Sequence, residues 1–143
     1  MVGNVGIGGN NPIRIQSMTT TNTKDTKASV AQSIALIDSG AELVRLTAPS
    51  INDAKNLYDI KSALIKKGYN TPLIADIHFT PNAAIEASKY VDKVRINPGN
   101  YIDKKKFQTL TFSKTQYREE LKRIEEKLVP LIESCKIHNT AMR

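Results

Sequence analysis

Tryptophan is missing from this chain, and cysteine occurs once, at Cys135. A single cysteine rules out an internal disulfide and leaves no set of thiolates to hold a metal cluster. Cys135 shares an apolar helical row with Leu128 and Leu131, the setting of a buried, inert thiol. No stretch approaches the roughly 18 consecutive apolar residues that cross a bilayer. Met1 is followed by glycines and asparagines instead of a basic and then apolar leader. These two absences predict a cytoplasmic protein with no membrane partner. Aromatic residues make up only 6% of the sequence, too few for the stacking platform of a base-gripping protein.

The apolar fraction of 40% and the charged fraction of 24% describe a globular chain, long enough at 143 residues for one domain with a single core. A net charge of +7 favours an acidic partner, whether nucleic acid, an anionic surface or a small phosphorylated compound. Charge alone does not choose among them.

Short runs rich in Ile, Val and Leu span Ile13 to Met18, Leu43 to Thr47, Leu73 to Phe79 and Lys93 to Asn97, and each precedes a helical pattern. The first helix is expected to start near Asp25, with Val30, Ile34 and Ile37 on one face and Gly40 at its end. The second opens on Ser50 and Asp53, a pair suited to a capping box, turns Leu57, Ile60 and Leu64 inward, and closes at Gly68. In the third, Thr80 caps and Pro81 takes the first helical position, where its missing N–H costs nothing. A fourth helix is expected over about Thr115 to His138, with Leu121, Ile124, Leu128, Leu131 and Cys135 in a row and a kink at Pro130. Before it, the stretch around Lys104 to Lys106 reads either as a solvated loop or as a ligand-binding lid. Ala141 to Arg143 begins a fifth strand.

Repeated βα units force parallel strands, since each helix returns the chain to the same starting edge. The expected fold class is α/β: a partial (β/α)8 TIM barrel of about four βα units plus the start of a fifth strand. A complete barrel needs roughly 250 residues, so the chain supplies about half. "GIGG" at Gly6 to Gly9 leads into a strand, whereas a dinucleotide fingerprint follows a strand and opens a helix. It therefore reads as the turn of an N-terminal hairpin and counts against a doubly wound sheet.

Side chains alternate across a strand, so parity sorts each run into two faces. Ile13 and Ile15 oppose Arg14, Gln16 and Met18; Val44 and Leu46 oppose Arg45 and Thr47; Ala75, Ile77 and Phe79 oppose Asp76 and His78; Val94 and Ile96 oppose Arg95 and Asn97. With the apolar set under the helices, Gln16, Arg45, Asp76, His78, Arg95 and Asn97 point inward at the carboxyl ends of neighbouring strands, where barrels carry their active sites. Arg143 takes the same place on the next strand.

Arginines in a partly buried pocket need anions. One reading is an internal ion-pair network among Arg45, Asp76 and Arg95. The other is a bound phosphate or diphosphate, favoured because three arginines face one carboxylate and one histidine. His78 fits a general acid, a phosphate hydrogen-bond donor, or a ring satisfied by Asp76. Gln16 and Ser17 suit either a substrate hydroxyl or a strand end. One histidine and one aspartate are too few ligands for a metal.

"PIRIQSMTTTNTKDTKASVAQ", "GAELVRLTAPS", "PLIADIHF" and "VRINPGN" stand in this order over most of residues 2 to 100, and "TAMR" ends the chain. Together they resemble the N-terminal barrel of the 4-hydroxy-3-methylbut-2-enyl diphosphate synthase family, in the long form of bacteroidetes and plants. The resemblance implies an oxidoreductase of non-mevalonate isoprenoid biosynthesis that reductively converts 2-C-methyl-D-erythritol 2,4-cyclodiphosphate, using a [4Fe-4S] cluster fed by ferredoxin or flavodoxin. It further implies that Arg45, Arg95 and Arg143 hold diphosphate oxygens, that Asn97 bonds the same group, and that Asp76 and His78 line the pocket.

On this reading residues 1–143 are an N-terminal fragment of the substrate-binding barrel, with the cluster-binding C-terminal domain absent, no catalytic residue present and no activity alone. The open sheet edges predict a homo-oligomer. Two other classes share some features: a pterin-binding, dihydropteroate-synthase-like barrel, and a basic nucleic-acid-binding module built on Lys104 to Lys106 and the helix beyond. Low aromatic content and the mixed charges of that helix argue against nucleic acid.

Overall fold

Local chemistry sets the ends of the helices in the computed structural model, which describes residues 1–97, 101 and 113–143. Helix α1 (Thr26–Asp38) begins where the Asp25 carboxylate accepts from the Ala28 N–H at 3.0 Å. Helix α2 (Ile51–Lys66) opens on the expected capping box: the Ser50 hydroxyl accepts from Asp53 N–H and the Asp53 carboxylate from Ser50 N–H. Gly40 and Gly68 follow these two helices at φ 101° and 87°, angles that a side chain strains to adopt. Helix α3 (Pro81–Ala87) has Pro81 in its first turn, but the Thr80 hydroxyl does not cap it and donates to the Pro49 carbonyl at 3.0 Å.

Between the helices lie β1 (Gln16–Met18), β2 (Leu43–Thr47), β3 (Leu73–Ile77) and β4 (Lys93–Ile96), and helix α4 (Lys114–Ile137) leads to β5 (Ala141–Met142). The five strands are parallel and lie side by side in chain order. A doubly wound sheet would reverse its order partway; this one does not, and it is the wall of a partial TIM barrel. Successive helices pack on one another, α1 on α2, α2 on α3 and α3 on α4. They cover a core of Val44, Leu46, Leu73, Ala75, Ile77, Val94 and Ile96 from the strands with Leu57, Ile60, Leu64 and Leu131 from the helices.

Two expectations at the N-terminus are corrected. The first strand is shorter than Ile13 to Met18, and Ile13 and Ile15 are 98% and 61% exposed. Ile15 is tied through its backbone to Glu42 and Leu43 at the sheet edge. The hairpin also turns elsewhere: an antiparallel bridge joins Val2 to Val5, so the reversal falls at Gly3 and Asn4, not at Gly6 to Gly9. Val2 is buried with Leu43 and Ile74 on the sheet face away from the helices, so the hairpin floors the concave side.

Helix α4 runs on through Pro130, and Glu126, whose carbonyl loses its donor there, is exposed to water. Its buried residues, Leu131, Ser134 and Cys135, all lie in the second half. Leu131 and Cys135 are buried, while Leu121, expected in the same inner row, is 48% exposed. Residues Lys104 to Lys106 lie outside the described residues.

Candidate functional site

Alternation along the strands supplies the concave face. Opposite the helix-covered core, β2 presents Arg45 and Thr47, β3 presents Ile74 and Asp76, and β4 presents Lys93 and Arg95. Register stacks these residues in rungs. Met18, Arg45, Ile74, Lys93 and Ala141 are level on one rung, and Thr47, Asp76 and Arg95 on the next. Arg143 extends the upper rung, with its N–H donating to Val94 O at 3.0 Å and its carbonyl accepting from Ile96 N at 2.9 Å. His78 and Asn97 follow just past the ends of β3 and β4.

Asp76 is the centre of this face and only 3% exposed. Arg95 Nη1 donates to its Oδ1 at 2.8 Å, Arg45 Nε lies 3.5 Å from Oδ2, and His78 Nε2 lies 3.4 Å from Oδ2. Arg45 Nε also donates to Met18 Sδ at 3.1 Å. Burial works to raise the Asp76 pKa, but the contacts from Arg95 and His78 and the charges of Arg95 and Arg45 outweigh it and hold the carboxyl below its ordinary range. The His78 contact falls short of hydrogen-bond alignment, leaving that buried nitrogen without a bonded partner. Its pull on Asp76 is therefore weaker than that of Arg95.

The ion-pair network and the anion pocket turn out to be compatible. Arg45 and Arg95 converge on one carboxylate, yet with Arg143 and Asn97 they also line an open cavity of about 580 Å³. Among the described residues Arg143 has no carboxylate within ion-pair distance. Guanidinium forks around an open, polar cavity suit the oxygens of phosphoryl groups.

Gln16 departs from expectation. It opens β1 level with Leu43, below both rungs, and lines a separate cavity with Gly8, Gly9, Lys93 and Arg143. Arg14, which parity groups with Gln16, donates to Gly6 O at 3.0 Å and to Glu42 Oε1 at 2.7 Å. Lys93 went unremarked in the sequence although it shares parity with Arg95 and Asn97; that spacing was the signal available.

The profile of the GcpE TIM-barrel domain matches residues 1–143. The chain belongs to this family. Among GcpE-family relatives, the 4-hydroxy-3-methylbut-2-en-1-yl diphosphate synthase (flavodoxin) of Akkermansia muciniphila is 53% identical, over 100% of this chain and 24% of its own length. The protein of the same name from Protochlamydia amoebophila is 54% identical over 99% of this chain and 22% of its own, and that of Parabacteroides distasonis 51% over 99% and 23%. The chain thus spans about a quarter of these relatives, 24% in the first case. Membership of the GcpE family decides against the pterin-binding barrel.

The described residues do not fit an iron-sulfur cluster. No three His, Cys, Asp or Glu side chains converge among them. Cys135 sits in the helix-covered core with its thiol pushed up by burial. Also among the described residues, no helix is long and apolar enough to cross a membrane.

Proposed function

We propose that this chain forms the diphosphate-gripping wall of a barrel that acts on 2-C-methyl-D-erythritol 2,4-cyclodiphosphate, in an enzyme that reduces it to 4-hydroxy-3-methylbut-2-enyl diphosphate in the cytoplasm. The observation that carries this reading is the cationic cavity of Arg45, Arg95 and Arg143 on a GcpE-family sheet. Arg95 and Arg143, level on one rung, present forked donors to phosphoryl oxygens, and Asn97 adds an amide beside them. Asp76 holds Arg95 and Arg45 in place, so they meet the guest preorganised and lose less side-chain freedom on binding. His78, with Nε2 3.4 Å from Asp76 Oδ2, stands beside this cluster.

The reduction requires electrons, supplied in this reading by flavodoxin or ferredoxin through a [4Fe-4S] cluster whose ligands lie outside the described residues. Residues 1–143 serve as the substrate-binding part and act as a homo-oligomer.

Calorimetric titration of the 143-residue chain with the cyclodiphosphate tests the reading. Arg95→Met is expected to weaken binding at least tenfold, about the worth of a charge-assisted hydrogen bond. Equal affinity in both proteins, or a preference for a pterin or for DNA, would sink it.

A further inference from the structure

The concave face carries more positive charge than its arginines account for. Lys93 lies on the lower rung between Ile74 and Ala141, two apolar neighbours, with Val2 and Leu43 in the same buried floor cluster. It has no carboxylate within ion-pair distance among the described residues. Among the described residues four cations, Arg45, Lys93, Arg95 and Arg143, thus share a face with one carboxylate, Asp76. Burial and the charge of Arg143 both lower the Lys93 ammonium pKa, the response of a cation that lacks a counter-charge.

Arg143 lines both cavities on this face: the upper one with Arg45, Arg95 and Asn97, and the lower one, about 450 Å³, with Lys93, Gln16 and the Gly8–Gly9 turn. We propose that the lower cavity is a second anion subsite, in which Lys93, assisted by the Gln16 amide, takes one phosphoryl group of a guest whose other phosphoryl group sits in the upper cavity, with Arg143 between them. The ligand class is an anion with two linked phosphoryl groups. A single phosphate, carrying about −1.5 to −2 charges near neutrality, leaves part of the excess of three positive charges on this face uncompensated. A diphosphate reaches further into it. Lys93 and Arg95, two residues apart on one strand, are about 6.6 Å apart along β4, so adjacent groups of one guest can engage both.

This subsite deepens the proposed function and rests on it, and the test separates the two. Inorganic pyrophosphate and inorganic phosphate are titrated at equal ionic strength into the wild-type chain, Lys93→Met and Arg95→Met. Lys93→Met is expected to lose about tenfold in pyrophosphate affinity and less than twofold for phosphate, whereas Arg95→Met weakens both. If Lys93→Met binds pyrophosphate like wild type while Arg95→Met is weakened, the lower subsite is wrong and the upper one stands. If the wild type binds neither anion, both readings fail.

Competitive acylation of the wild-type chain, read residue by residue by mass spectrometry, avoids any folding defect of the variants. Pyrophosphate should slow labelling of Lys93 at least fivefold and leave the exposed Lys27 and Lys66 unchanged. Equal labelling of Lys93 with and without pyrophosphate would overturn the inference.

Discussion

At the residue scale, Asp76 does most to shape the concave face. Its carboxylate takes Arg95 at 2.8 Å and Arg45 at 3.5 Å while itself only 3% exposed. Removing it leaves cations crowded on one face with no anion between them. Asp76→Asn should therefore cost about 1–3 kcal/mol of folding stability, read as a lower urea midpoint. The folded pKa of Asp76 lies below its ordinary value, so its contribution is fully present above the unfolded carboxyl pKa of about 3.9 and drains away as pH falls through the folded value. Wild type should lose more stability than Asp76→Asn between pH 6 and pH 3. Parallel pH dependence in the two proteins would count against the network. Much of this cluster was legible beforehand, because Arg45, Asp76 and Arg95 follow from parity in strands whose apolar set is unambiguous. Gln16 was misplaced because β1 begins only at Gln16, and parity says nothing about height along a strand when the strand's start is wrong.

At the scale of elements, capping signals proved the most readable. Asp25, the Ser50–Asp53 pair and the glycines at positions 40 and 68 stand where the helices begin and end. These signals are local, a few residues bonding their own backbone; at Thr80, whose hydroxyl donates to the Pro49 carbonyl, a tertiary contact wins instead. Apolar content misled where burial depends on a neighbour: Ile13, Ile15 and Leu121 have the right character yet stand exposed. Pro130 interrupts the hydrogen bonds of α4 on its exposed side. Pro130→Ala restores an N–H donor and should raise stability by about 1–3 kcal/mol, seen as a higher thermal midpoint. A lower midpoint would mean that packing by the ring outweighs the missing donor.

For the whole molecule, the question is what meets the two edges of the sheet. Among the described residues β1 pairs only with β2, and β5 only with β4, so each leaves backbone donors and acceptors free to recruit another strand. The proposed homo-oligomer predicts a light-scattering mass that rises with protein concentration across the micromolar range. A mass fixed at 15.9 kDa at every concentration would refute it. The overall architecture was foreseeable because the alternation of strand and helix dictates parallel neighbours. The hairpin turn was not, since Gly3, Gly8 and Gly9 all adopt the left-handed backbone and the Val2–Val5 bridge selects the first.

Because every strand lies beside the one made just before it, the molecule can be assembled in the order in which a ribosome delivers it. Each new βα unit finds its docking surface already present, and each strand from β2 to β5 meets its neighbour as soon as it is made. Contacts of short sequence separation speed folding, and here they also mean that growth from the N-terminus passes through a series of progressively wider half-shells, each a usable template for the next.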